Sequence, residues 1–304
     1  MSNPKRQHFL PQAGYLRFFS IGGRGEKIVV YPRGARTFIT SLVNAGVEKD
    51  LYSLVDAQGR LNRDLERLVL SALDGKAASL MERLNSEKNL IELDRMEIET
   101  LYEMVAVAYL RTPSFRDGFR KHGSDVIESG EIERFVDQDL ANLGLSADRI
   151  DSCIRTALDN IRTTAAHRNY WLVRVGRLIE LALPELASKR AEILETDEIV
   201  ITCDHPVAID YGAGIRGSDL VFPIGSHRVL VMRCISGRLV DNSRIPVRTI
   251  GRAQARELNR QTMRMAERTL FASIERAEIK QLFDRMAAPQ RMRFVPESNR
   301  ASTG

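Results

Sequence analysis

Cysteine, histidine and tryptophan are scarce in this 304-residue chain, which carries three, five and one of them. Cys153, Cys203 and Cys234 lie far apart, with no Cys-x-x-Cys and no paired histidines nearby. That spacing argues against a disulfide framework or a structural zinc site and leaves free, buried thiols as the expectation. No His-Glu-x-x-His is present, so the chemistry of the zinc hydrolases is not expected. Long apolar runs are missing too: no window approaches the roughly 18 residues of a membrane span, and the opening Met1–Arg6 leads into no apolar stretch of signal-peptide length. A cytoplasmic location without a membrane partner is therefore expected. Internal repeats and low-complexity segments are also lacking.

What the chain does have is ordinary in amount and uneven in placement. Its 43% hydrophobic and 28% charged residues suit a water-soluble globular protein large enough for a substantial core. The net charge of +5 conceals a segregation. Residues 1–36 hold seven basic against one acidic side chain, residues 244–304 hold 13 against 6, and the middle holds 25 against 33. Basic ends and an acidic middle leave two readings: a basic surface for an anionic partner such as nucleic acid, or termini that complement the middle of the same chain.

The order of local patterns predicts an α+β fold. Lys27–Tyr31 is short, β-branched and aromatic, and the turn residues Pro32-Arg33-Gly34 lead to Thr37–Thr40, which together read as a hairpin. From Asn62 to about Leu183 the period turns helical. Leu65, Leu68, Val69, Ala72, Leu73, Ala77, Leu80 and Leu84 form one stripe, and a second helix over Asp94–Leu110 stops at Arg111-Thr112-Pro113. Short β-branched runs return at 198–202, 207–209, 220–222 and 229–232. A long helix is predicted from Gly251 to about Ala287, with a polar, disordered tail over 289–304. The economical picture is one domain over 1–288, mostly helical, in which the N-terminal hairpin joins the 198–234 strands in one small antiparallel sheet. The opening residues 5–20 then lie close to the 198–210 segment.

Chemistry-bearing residues gather at two places. His8, with Gln7 and Arg17 nearby, is a candidate acid or base; equally, it can be a half-buried histidine bonded to backbone. Thr202-Cys203-Asp204-His205-Pro206 ends a predicted strand, where Asp204 can orient a histidine or hold a magnesium ion, or can simply bond nearby amides in an Asx-type turn. Arg111 can clamp phosphate or carboxylate, or complement the end of its helix. Gly212-Ala213-Gly214-Ile215-Arg216-Gly217 fits G-x-G-x-x-G, but a strand follows instead of a helix, so a glycine-rich hairpin is predicted and not a dinucleotide site. Finally, arginines recur every four residues from Arg244 to Arg268. On a helix those from Arg252 onward sweep around the surface, either tracking a nucleic-acid backbone or pairing with Glu257 and Glu267.

Taken in order, Gln7-His8-x-x-Pro11, Tyr15-Leu16-x-x-Phe19, Lys27-Ile28-x-x-Tyr31, Lys49-Asp50-Leu51-Tyr52, Arg111-Thr112-Pro113 and Thr202-x-Asp204-x-Pro206 resemble the bacterial domain of unknown function family 4238. An asparagine in the last helix matches Asn259, and the resemblance runs over roughly residues 5–275. It departs in the loop Gln12-Ala13-Gly14, one residue longer than usual, at Leu51 where the family has Phe, and at Cys203-Asp204-His205-Pro206 where the family reads Ser-Asp-Asn-Pro. The resemblance implies a bacterial protein but supplies no reaction. His-x-x-Pro also opens the His-Asn-His nucleases, which need a metal-binding histidine on the next helix, whereas the next histidine here is His122. The residues alone leave two functions to test. One is a hydrolase-like enzyme on a phosphate-containing or nucleic-acid substrate, with His8 and Asp204 catalytic and Gln7, Arg17, Arg111, His205 and Asn259 binding. The other is a non-catalytic regulator or host-defence component that holds nucleic acid or protein through its basic ends.

Overall fold

A computed structural model describes residues 6–12, 14–23, 25–49, 51, 54–55, 61–62, 71–112, 115, 117, 170–209, 214–235 and 240–288. In chain order these begin with β1 (Arg6–His8), β2 (Lys27–Pro32), β3 (Phe38–Ser41), β4 (Val47–Lys49) and the two-residue strands β5 (Leu54–Val55) and β6 (Leu61–Asn62). There follow α1 (Ser71–Ser86), β7 (Leu90–Glu92), α2 (Arg95–Leu110) and α3 (Tyr170–Ala187). The remainder is β8 (Lys189–Glu195), β9 (Thr202–Cys203), the single turn α4 (Gly214–Gly217), β10 (Leu220–Gly225), β11 (Arg228–Cys234), β12 (Arg244–Thr249), α5 (Arg252–Met265), β13 (Thr269–Ala272) and α6 (Ala277–Arg285).

The fold is α+β, but it is not mostly helical around one small sheet. Two larger sheets organise it, a five-stranded one ordered β10-β11-β8-β12-β7 and a four-stranded one ordered β3-β2-β13-β9, with two-stranded ribbons β1-β4 and β5-β6. The N-terminal hairpin β2-β3 does not join the strands of 220–234. It pairs with β13, which in turn pairs with β9, while β10 and β11 belong to the other sheet. The predicted long helix after Gly251 is a helix, a strand and a second helix, because Thr269–Ala272 is taken up between β2 and β9. Arg244 and Arg248 consequently sit on a strand, not on the helix that carries Arg252 onward. The helical block is interrupted as well: Leu90–Glu92 pairs with β12. The glycine motif ends in the helical turn Gly214–Gly217 and not in a hairpin loop, although a strand follows as expected. Of the predicted helical stretch, residues 63–70 and 118–169, with His122 among them, lie outside the described residues, as does the tail 289–304.

Where local chemistry is strong, the expected elements form. Asp94 caps α2 through a reciprocal box, its carboxylate accepting the Glu97 amide at 2.8 Å while Glu97 Oε2 accepts the Asp94 amide at 3.0 Å. Arg111 caps the end of that helix, and the Thr112 hydroxyl accepts the Phe115 amide at 3.3 Å. The opening segment is sewn into the core: Leu10, Leu16 and Phe19 are buried, with Phe9 half-buried against them. Gly46 permits that close fit. Its φ is +60°, its carbonyl accepts the Phe9 amide at 2.9 Å, and an added Cβ would stand 3.1 Å from that of Leu10.

Candidate functional site

The ribbon β1-β4 sets His8 opposite Val47 and buries Gln7. His8 presents Nδ1 to the Ala45 carbonyl at 3.1 Å, and its own carbonyl accepts Arg111 Nη2 at 2.7 Å. Arg111 Nη1 also donates to both carboxylate oxygens of Asp74, at 3.0 and 3.2 Å, with the arginine side chain only 3% exposed. The anion that Arg111 holds is thus supplied by α1. A charge-assisted bond of this kind, out of water, staples the first strand to α1 and to the end of α2.

The segment after β9 does approach the opening residues. The Tyr15 hydroxyl lies 2.6 Å from Thr202 Oγ1 and donates to the Pro223 carbonyl at 2.8 Å, so one fully buried phenol joins the N-terminal segment to both larger sheets. Burial pushes that phenol well above its ordinary pKa and keeps it neutral. Removing the oxygen by Tyr15→Phe is expected to lower the unfolding free energy by about 1–2 kcal/mol, measured by urea titration. No change would mean that the Thr202 hydroxyl satisfies Pro223 unaided. Pro206 and Arg111 share a small apolar recess with Phe9, Pro11 and Tyr15. His205 packs edge-on against the Tyr109 ring at 5.4 Å, and burial pushes its pKa down to about 4, so it is uncharged at neutral pH.

Asp204 faces the other way. Its Oδ1 accepts the Glu267 amide at 3.0 Å, and its Oδ2 accepts those of Arg268 and Thr269 at 2.8 and 3.2 Å. Burial pushes its pKa up to about 6, with the three amides pulling the other way. Among the described residues no group of three or more histidines, cysteines or acids gathers where it could hold a metal ion. Arg17 lines a separate open cleft of about 720 Å³ with His227 and Arg228, bonded to Glu82 and lying 4.6 Å from the Phe18 ring centre. Asn259 uses both ends of its amide on one extended segment, accepting from the Ile201 amide at 3.1 Å and donating to the Ile199 carbonyl at 2.7 Å. It acts as a surrogate strand partner.

The residues singled out from sequence therefore fall into four groups: Gln7 and His8 on the first ribbon with Arg111 bonded to it from the end of α2 and His205 beside Tyr109, Asp204 on the amides of residues 267–269, Arg17 in its own cleft, and Asn259 on α5. Sequence reasoning missed a cleft beside α5 of about 690 Å³, lined by Glu198, Arg256, Asn259, Arg260, Arg276 and Leu282, among others. At its floor Glu198 accepts Arg276 Nη1 at 2.6 Å and meets Arg256 at 3.4 Å. Burial raises the Glu198 pKa, but Arg276, with Arg256 and Arg252, outweighs it and holds the carboxyl below its usual range. The four-residue arginine spacing was the available signal for this region.

Two packed sheets, a tightly sewn opening segment and an arginine-rimmed cleft describe the class of molecule. The family described as "Protein of unknown function (DUF4238)" matches residues 6–276, and the chain belongs to it. Nothing matches among curated proteins or solved structures. No described helix is long and apolar enough to cross a membrane.

Proposed function

We propose that this chain is a non-catalytic binding protein for a polyanion, a nucleic-acid strand above all, engaged along α5 and the adjoining cleft, and that it works in the cytoplasm. One observation carries the reading. Arg252, Arg256, Arg260 and Arg264 are all exposed on α5, whose opposite face buries Ala255, Leu258, Asn259, Thr262 and Met263. Steps of four advance about 40° each past full turns, so the four guanidinium groups form a ribbon of roughly 120°. Two of them rim the cleft beside Arg276.

Acidic neighbours partly pair this ribbon. Glu257 contacts Arg260 at 2.8 Å and Arg264 at 3.4 Å, and Glu198 holds Arg256. The Glu257 pairs are exposed and worth about 0–1 kcal/mol, so a phosphate can displace them at little cost, while the buried Glu198 keeps Arg276 as its nearer partner. The groups of the hydrolase reading are, by contrast, committed to the chain itself: Asp204 to three amides, Arg111 to Asp74 and the His8 carbonyl, and His8 Nδ1 to the Ala45 carbonyl. That commitment favours the binding reading over catalysis.

The test is fluorescence anisotropy with labelled RNA and DNA oligonucleotides across a salt series. The unmodified protein should bind at low salt and weaken steeply as salt rises, because phosphate contacts release counterions. A variant with Arg252, Arg256, Arg260 and Arg264 all replaced by Gln should lose about tenfold or more in affinity at low salt, its salt slope shallower by about one for each phosphate contact removed. Absence of binding at low salt, or an unchanged slope in the variant, would reject the proposal.

A further inference from the structure

Lys189 opens β8 and Cys234 closes β11, and the antiparallel register sets the two directly opposite each other. Opposed residues of such a ladder leave the sheet on the same face with their Cβ atoms about 5 Å apart. The lysine is 0% exposed, whereas the cysteine reaches solvent. Lys189 Nζ lies 2.8 Å from Cys234 Sγ and 2.8 Å from the Ser218 carbonyl, which is itself 3.2 Å from the sulfur. A buried amine is thus held in contact with a reachable sulfur.

The backbone on both sides is fixed, so the contact is not the chance swing of a long side chain. Asn242 donates to the Lys189 carbonyl at 2.8 Å and accepts the Ala191 amide at 2.9 Å. Asp219 accepts the Cys234 amide at 2.8 Å. With both strands held, the amine and the thiol have little freedom to part.

We propose that Lys189 and Cys234 form an oxidative cross-link, a single oxygen atom joining Nζ to Sγ, when the protein meets a peroxide. Two peroxide molecules are consumed. The thiol gives up its hydrogen and the amine, reacting as –NH2, gives up one of its two. One peroxide oxygen enters as N–O–S, the remaining three leave as water, and four electrons pass from the nitrogen–sulfur pair to peroxide. The bridged nitrogen keeps one hydrogen, which can still be donated to Ser218. Oxidation of an ordinary exposed thiol stops at sulfenic acid or climbs to sulfinic and sulfonic acids. Here an oxygen delivered to the sulfur on its inner side meets the amine first. The product ties β8 to the last residue of β11.

The test is mass spectrometry of the whole protein after treatment with dilute hydrogen peroxide, followed by peptide mapping. The expected product is heavier by one oxygen less two hydrogens, about 14 Da, with the Lys189 and Cys234 peptides joined and released again by dithiothreitol. Cys234→Ser and Lys189→Met should each abolish that species, while Cys203, which is buried, stays unmodified in all samples. The cross-linked protein should also unfold at a higher temperature than its reduced form, which checks the strand tie independently of mass. Should Lys189→Met fail to fold, the joined peptide and the Cys234→Ser variant decide the question by themselves. Gains of about 16 or 32 Da on Cys234 with Lys189 unlinked, a disulfide, or no modification would each overturn the proposal.

Discussion

Replacing Arg33 by alanine should lower the unfolding free energy by about 3 kcal/mol, a large share of the stability of a typical domain. The guanidinium group sits where two helices end. Nε donates to the Glu267 carbonyl at 3.0 Å and Nη2 to Ala266 at 2.7 Å, just past α5. Nη1 donates to Phe283 at 3.0 Å and to Met286, in the last turn of α6 and just past it. Its planar face lies 4.0 Å from the ring centre of Phe283, which is buried. The last four carbonyls of a helix have no partner within it, and a positive charge there is favoured by the helix dipole. Each bond from a charged donor is worth about 1.5–3 kcal/mol, but Arg33 is only half-buried, so water replaces part of the loss and the sum falls well below four such terms. Arg33→Lys should recover less than half, because a compact ammonium cannot span four carbonyls on two helices. Urea unfolding of the three proteins measures both effects. Equal midpoints for the natural protein and Arg33→Ala would mean that solvent alone satisfies those carbonyls.

Arg33 also illustrates what was legible in the sequence and what was not. The turn Pro32-Arg33-Gly34 was readable from its residue types, and Gly34 does adopt a φ of +67° between the strands it connects. Helix α2 was readable to its cap. Strand β8 was not: Lys-Arg-Ala-Glu-Ile-Leu-Glu is made largely of good helix formers, and only pairing with β11 on one side and β12 on the other makes it a strand. The stretch after Gly251 contains no proline or glycine before residue 289, so nothing local marks the strand at Thr269–Ala272. That single misreading hid the setting of Asp204. Residues 267–269 taken as mid-helix have amides already bound to helix carbonyls, and only once α5 ends at Met265 are those amides free for a carboxylate 63 residues away. The approach of the opening segment to residues 202–206 was expected from a single-sheet arrangement that does not form, and Tyr15 makes the contact by bonding Thr202. The partners of each side chain there were not legible, since they depend on where neighbouring elements stop.

Asp204→Asn should be nearly as damaging as loss of Arg33, costing about 2–3 kcal/mol at neutral pH despite the close match in shape. Three backbone amides point at the two carboxylate oxygens. An asparagine can offer one oxygen, and its nitrogen, which has hydrogens and no available lone pair, must face at least one amide donor. Protonation of the natural aspartate is different, because a hydroxyl oxygen keeps a lone pair. The pH dependence follows from that contrast. Burial raises the folded-state pKa to about 6, above the value of 3.8 for a free side chain, so the native protein binds this proton more tightly than the unfolded chain does. Below about pH 4 the group is neutral in both states and imposes no penalty. As pH rises from the unfolded value through 6 the folded state comes to carry a buried charge that the unfolded state carries in water, and stability falls by about 3 kcal/mol in total. Wild-type minus Asp204→Asn, measured by denaturant unfolding at several values between pH 4 and 8, isolates the group from every other carboxyl. The advantage of aspartate over asparagine should therefore be largest near pH 4 and shrink toward pH 7 without vanishing. A difference that instead grows with pH would show that the three amides outweigh burial, and that Asp204 is held as a strongly favoured anion.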